Sequence, residues 1–234
     1  MTRFLASVQN LQEAMVACSE AVDIIDLKNP AEGALGALPI DEIGAIVKAV
    51  AGRKPVSATI GDLPMQPALL VERVALTAQT GVDFVKIGIF GRQGHEPCLR
   101  ALQPLAAEGI NIVAVMFADD QPDFDLLPVM AACGLRGVML DTCRKDGKRL
   151  LDWMAPTALG RFVRDAHSLG LMTGLAGALG RRDIDTLVPL GADYLGFRSA
   201  LCADRNRSVS AEASAMREIV MLLQKYNIKT HELA

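Results

Sequence analysis

Eight short apolar runs, separated by longer stretches with helical spacing, constrain this chain most. They are "RFLASV" (3–8), "VDIIDLK" (22–28), "PVSATI" (55–60), "DFVKIGIF" (83–90), "NIVAVMF" (111–117), "GVMLDT" (137–142), "LMTGLAG" (171–177) and "DYLGFR" (193–198). Each reads as a strand. Between them lie amphipathic segments. One carries Leu69, Val71, Val74, Ala75 and Ala78, and the last is "EASAMREIVMLLQKY". Eight strand–helix alternations predict a parallel α/β sheet, and that number predicts a closed (β/α)8 TIM barrel. The competing fold is an open doubly wound sheet; no GxGxxG turn follows the first strand to favour it. A single barrel domain over residues 1–234 is expected, because no Pro/Ser-rich linker or low-complexity tail interrupts the chain.

The net charge is −3 and there is no basic run, which argues against a nucleic-acid surface. A small anionic substrate remains open, since a few local cations suffice to bind it. The five cysteines are odd in number and form no CxxC pair, which argues for a reducing cytosol and against a disulfide framework or zinc ribbon. The N-terminal apolar run is too short for a signal peptide, and no segment reaches membrane-spanning length. A cytoplasmic protein is expected. His95, His167 and His231 are scattered and suggest no metal-ligand set.

A weak internal repeat aligns "AVDIIDLK", "GVDFVKIG", "GLRGVMLD" and "GADYLGFR", which start at residues 21, 81, 134 and 191. These include the second, fourth, sixth and eighth strands. The sixth position of the repeat holds Asp26, Lys86, Met139 and Gly196; the eighth holds Lys28, Gly88, Asp141 and Arg198. Alternate strands of a barrel fill the same interior layer, and their C-terminal ends carry the chemistry. Asp26 and Lys86 are therefore expected in one layer, with Lys28, Asp141 and Arg198 in the next one up.

Taken alone, an Asp-x-Lys on a strand reads as a structural ion pair. Lys86, flanked by Val85 and Ile87 in a strand covered on both faces, shifts the balance toward function, because lysine is rarely buried without a partner. Burial and a neighbouring ammonium both lower an amine's pKa, and a neutral amine attacks carbonyls to form a Schiff base. Adjacent carboxylates orient amines and move protons. They also oppose the pKa depression, so spacing leaves open which lysine is neutral.

The glycine-rich "GLAGALG" (174–180) and "GFRSAL" (196–201) follow strands seven and eight, where such barrels often cradle phosphate on backbone N–H groups. Tight turns alone also account for the glycines. Arg198 is placed either to clamp a phosphate or to pair with Asp141 or Asp193. In "DTCRKDGK" (141–148), Lys145 and Lys148 are candidate further cations above the mouth.

The stretches "DIIDLKNPAEGALGA", "VSATIGD", "DFVKIGIFG", "MLDTCRKDGKRLLDWM", "GLAGAL" and "LGFRSALC" resemble the (5-formylfuran-3-yl)methyl phosphate synthase family, over the first strand to about residue 202. The resemblance implies a TIM barrel enzyme that condenses two glyceraldehyde 3-phosphate molecules into a furan aldehyde phosphate for methanofuran-type one-carbon carriers. It implies Lys28 as the Schiff-base lysine, Lys86 as the proton acceptor, and Asp26, Asp141 and Lys145 as further catalytic positions. Gly177, Ala178, Arg198 and Ser199 are the expected substrate-binding residues. The family often has Ser where Ala178 stands and Gly where Ser199 stands. No cofactor or metal is expected, since an iminium supplies the electron sink; the expected partner is a triose phosphate, and the expected assembly a homo-oligomer. Another Schiff-base aldolase and a non-catalytic sugar-phosphate-binding barrel are the alternatives.

Overall fold

Each apolar run forms a strand in the computed structural model, which describes residues 1–144 and 146–231. The strands are β1 (Arg3–Val8), β2 (Ile24–Leu27), β3 (Val56–Thr59), β4 (Phe84–Gly88), β5 (Ile112–Phe117), β6 (Gly137–Asp141), β7 (Met172–Leu175) and β8 (Tyr194–Phe197). All neighbours are parallel, and β1 pairs with β8 through Arg3–Tyr194 to Ala6–Phe197, closing the barrel. That closure rules out the open sheet. The helices are α1 (Leu11–Ser19), α2 (Ile40–Val50), α3 (Pro67–Ala78), α4 (His95–Ala107), α5 (Leu127–Ala132), α6 (Leu150–Trp153), α7 (Pro156–Ser168), α8 (Ile184–Leu187) and α9 (Ala213–His231). Local chemistry sets their starts: Asn10 caps α1 by accepting from the Glu13 N–H, and prolines open α3 and α7, where a fixed φ suits the first turn.

Several strands end earlier than their apolar runs. The run at 171–177 leaves the sheet after Leu175, because Gly177 (φ +108°) and Ala178 (φ +48°) turn the chain outward. The helical spacing at 69–78 is α3, whose buried stripe is Leu70, Val74 and Thr77, with Val71 and Ala78 partly buried against the same core.

Strand alternation divides the apolar residues into two cores. Leu5, Ile24, Val113, Val115, Phe117, Met139 and Tyr194 fill the barrel interior. Phe4, Ala6, Val8, Ile25 and Leu27 point outward and pack under the helices. On β2, Ile24 faces inward, so two-residue periodicity turns Asp26 inward and Lys28 after it. Among the described residues, no helix is long and apolar enough to cross a membrane.

Candidate active site

Asp26 and Lys86 meet inside the barrel. Lys86 Nζ lies 2.8 Å from Asp26 Oδ1, and each side chain is 3% exposed. Two hydroxyls complete the carboxylate's shell: Ser7 donates to Oδ2 at 2.9 Å and Ser57 to Oδ1 at 2.6 Å. These serines are the residues that stand opposite Asp26 on β1 and β3, so the barrel register supplies them. Burial alone would raise the Asp26 carboxyl, but the charges of Lys86 and Lys28, with hydrogen bonds from Lys86 and Ser57, outweigh it and hold the group below its ordinary value. Burial lowers the Lys86 amine, with Asp26 pulling the other way. The Tyr194 ring contributes to that dry setting, its centroid 6.0 Å from Lys86 Nζ.

Above this pair, Lys28 Nζ lies 3.3 Å from Asp141 Oδ2. Asp141 Oδ1 accepts from the Thr142 N–H at 2.7 Å, which fixes the carboxylate's orientation. Both residues line a cavity of about 300 Å³ at the C-terminal mouth. Lys28, Arg144, Lys148, Arg198, Arg205 and Arg207 also border it, against Asp141 as the acidic residue, so the cavity favours an anion. Among the described residues, no group of three His, Cys, Asp or Glu side chains is placed to hold a metal ion.

Gly177, Ala178 and Ser199 line the same cavity. A Cβ on Gly177 would stand 2.9 Å from Thr142 Cγ2, and its φ of +108° suits glycine; this is a close approach of two loops as well as a tight turn. Arg198 departs from expectation. It borders the cavity, but its guanidinium forms a buried pair with Glu13 of α1 and donates to the carbonyls of Ser7, Arg207 and Val209. It pairs with neither Asp141 nor Asp193. Glu13 stands at the start of α1, within reach of the β8 end, and takes the charge first. Lys145 lies outside the described residues. Lys148 Nζ sits 4.5 Å from the Trp153 ring centroid, and Arg144 stacks on the same ring at 5.5 Å.

The loops over the mouth are fastened by aspartates from the neighbouring strand's loop. Asp62, after β3, accepts from the Ala34 and Leu35 N–H groups at 2.8 and 2.6 Å. Asp119, after β5, accepts from those of Cys143 and Arg144 at 2.8 and 2.6 Å. Asn29 N–H closes the Asn-Pro loop on the Gly36 carbonyl at 2.8 Å. The "KNP" turn thus holds the segment just beyond Lys28 in one shape.

Sequence reasoning missed Ser7, Ser57, Glu13, Arg205 and Arg207. The serines were findable, since small hydroxyls at inward positions flanking a buried carboxylate are its natural donors. Arg205 and Arg207 lie in "ADRNRSVS", whose two arginines are a local basic signal, but only the closed barrel brings that segment over the mouth. His95 Nε2 is 3.1 Å from the Phe90 carbonyl oxygen, and His167 Nε2 is 2.9 Å from Asp193 Oδ2 near the strand starts, so both serve local structure.

Chemically, the site offers one amine at a cavity floor beside a carboxylate, a second amine–carboxylate pair directly beneath, and a cationic rim. This set suits imine formation with an anionic carbonyl compound.

Comparison with known proteins bears on this arrangement. The 4-HFC-P synthase family profile matches residues 4–220. The (5-formylfuran-3-yl)methyl phosphate synthase of Methanopyrus kandleri is 38% identical over 219 residues, covering 88% of this chain and 92% of that protein. The enzyme of the same name from Methanosarcina mazei is 36% identical over 225 residues, covering 90% and 95%. Among solved structures, 3-hexulose-6-phosphate synthase from Salmonella typhimurium superposes with a TM-score of 0.67 at 20% identity, covering 96% of this chain and 100% of that one, which speaks for the barrel fold alone.

Proposed function

The chain belongs to the 4-HFC-P synthase family, and on that premise we propose that it condenses two molecules of glyceraldehyde 3-phosphate into (5-formylfuran-3-yl)methyl phosphate through a Schiff base on Lys28. The observation that carries this reading is the position of the Lys28 amine. It borders the cationic cavity, 3.3 Å from Asp141, directly over the closed Asp26–Lys86 pair.

In this mechanism Lys28 passes a proton to Asp141 and its amine adds to the carbonyl carbon of the first triose phosphate. Asp141 moves the proton as the carbinolamine loses water and becomes an iminium. The iminium withdraws electrons from the adjacent carbon and acidifies its C–H bond. Lys86, its amine lowered by burial, receives that proton with Asp26 as the balancing charge. The resulting enamine attacks the aldehyde carbon of the second triose and forms the new C–C bond. Hydrolysis returns Lys28. Ring closure then expels one phosphate and two waters, which balances the atoms of two trioses against the furan product.

The electrostatics support this order. Asp141 holds the Lys28 amine at the cavity wall and is placed to take its proton as the amine attacks. Asp26 is ionised at neutral pH, so it balances the charge that Lys86 gains on taking the proton. Gly177 and Ala178 offer turned backbone for one phosphate, and Lys145 completes the set for the second triose. On the same reading the product supplies the furan of methanofuran-type carriers, in the reducing cytoplasm that five cysteines with no CxxC pair fit, and the protein acts as a homo-oligomer.

Incubation with glyceraldehyde 3-phosphate alone tests the reaction. A furan absorption band in the ultraviolet, with release of inorganic phosphate, is the expected result. A simple aldol or an isomerised triose as sole product contradicts it.

A further inference from the structure

The segment joining β8 to α9 crosses the cavity mouth as a strap. Its base is closed by the antiparallel bridge between Cys202 and Ala211 and by the Glu212 N–H on the Leu201 carbonyl at 2.7 Å. The Glu13–Arg198 pair braces its inner side: Arg198 donates to the carbonyls of Arg207 and Val209, and Glu13 accepts from the Ala211 N–H at 3.2 Å. Arg205 reaches one wall, donating to the Ala178 carbonyl at 2.8 Å. Arg207 reaches the other, with Nη2 on the carbonyls of Pro30 and Gly33 at 2.8 and 2.9 Å.

Arg207 differs from Arg198 in its partners, and from the other arginines of the rim in its Nε. Among the described residues its hydrogen bonds go to two carbonyls and none to a carboxylate, while Arg198 has Glu13. Its Nε is buried and meets no acceptor among the described residues. The residue lines the cavity together with Lys28 and Asp141. A buried N–H without an acceptor is costly, and a guanidinium presents two N–H groups in a fork that matches phosphate oxygens. The carbonyl tether fixes Nη2 at the β2 loop and leaves Nη1 for a ligand.

We propose that Arg207 is a substrate-binding residue that takes a phosphate group of the triose phosphate in this cavity, held in place by the strap and by the carbonyls of Pro30 and Gly33. The identity of the ligand rests on the proposed function; the anion site itself does not. Binding of inorganic phosphate to the whole protein, measured by calorimetry, reads it directly. Arg207→Gln keeps an N–H for the loop carbonyls and removes the charge, and is expected to weaken phosphate about tenfold or more, the effect of losing a charge-assisted pair. Arg207→Lys keeps the charge and is expected to fall between that variant and wild type. The KM for glyceraldehyde 3-phosphate rises by the same factor as phosphate affinity falls. Phosphate bound equally by wild type and Arg207→Gln overturns the proposal, as does no phosphate binding to wild type. A reversed order, with Arg207→Lys losing binding that Arg207→Gln keeps, makes Arg207 a loop tether and also overturns it. Borohydride trapping on wild type tests Lys28 separately: its failure counts against the Schiff-base reading and leaves the phosphate result standing.

Discussion

Lys86 Nζ and Asp26 Oδ1 stand 2.8 Å apart inside the barrel, with the Ser7 and Ser57 hydroxyls on the same carboxylate. A buried pair so enclosed is stable only while both members are present, because either charge alone in that interior is poorly solvated. Lys86→Met is therefore expected to lower stability by about 3–5 kcal/mol, the usual cost of orphaning a buried charge. The double variant Asp26→Asn with Lys86→Met should recover most of that loss and remain inactive. Denaturant titrations of both singles and the double give the coupling, and a coupling near zero would show the pair to be energetically inert.

The same pair sets an acid limit. Burial opposes the charged Asp26 carboxylate, but Lys86 and Lys28 more than offset it, so its folded pKa lies below the ordinary 3.8. A group depressed on folding stabilises the protein above its unfolded value, and that contribution is lost as pH falls through the folded value. Thermal unfolding of wild type should be flat in this respect near neutrality and drop steeply below about pH 4, where the unfolded chain takes up the proton first. The double variant without either charge should show a shallower drop. Parallel curves would remove Asp26 from the acid transition.

Gly33 has φ +105°, and a Cβ there would stand 2.1 Å from Asp62 Oδ2, the carboxylate that holds the Ala34 and Leu35 N–H groups. Gly33→Ala forces either strain or release of Asp62. A loss of about 1–3 kcal/mol is expected from the backbone alone. Because the loop it shapes lies beside Lys28 and Arg207, kcat/KM should fall with it, and Asp62→Ala should reproduce the kinetic defect. Full activity in both variants would detach this loop from the site.

The barrel was legible in the chain because strand alternation is a local signal: apolar runs at regular intervals mark the strands, and their number marks closure. Four inward groups, Asp26, Lys28, Lys86 and Asp141, followed from the same two-residue period once four strands were aligned. Arg198 did not. Its long side chain leaves the strand end for Glu13, and the relation between residues 13 and 198 exists only after β1 and β8 pair. Arg207 was hidden for a similar reason: its segment has no periodicity, and its place over the mouth depends on a bridge between Cys202 and Ala211. Pairing across the closure, and loops fastened by distant carboxylates, carry no local signature.

Lys28→Arg should keep the cationic contact with Asp141, fold normally and lose turnover, since a guanidinium forms no imine with a carbonyl under these conditions. Matching circular dichroism with activity at wild-type level would remove Lys28 from the chemistry.

Borohydride reduction in the presence of glyceraldehyde 3-phosphate, followed by peptide mass spectrometry, tests covalent catalysis most directly. One triose-derived adduct on the peptide containing Lys28, absent from Lys28→Arg and absent without substrate, is the predicted result. An unmodified Lys28 in protein that still makes furan product, or an adduct on Lys86 instead, would contradict it.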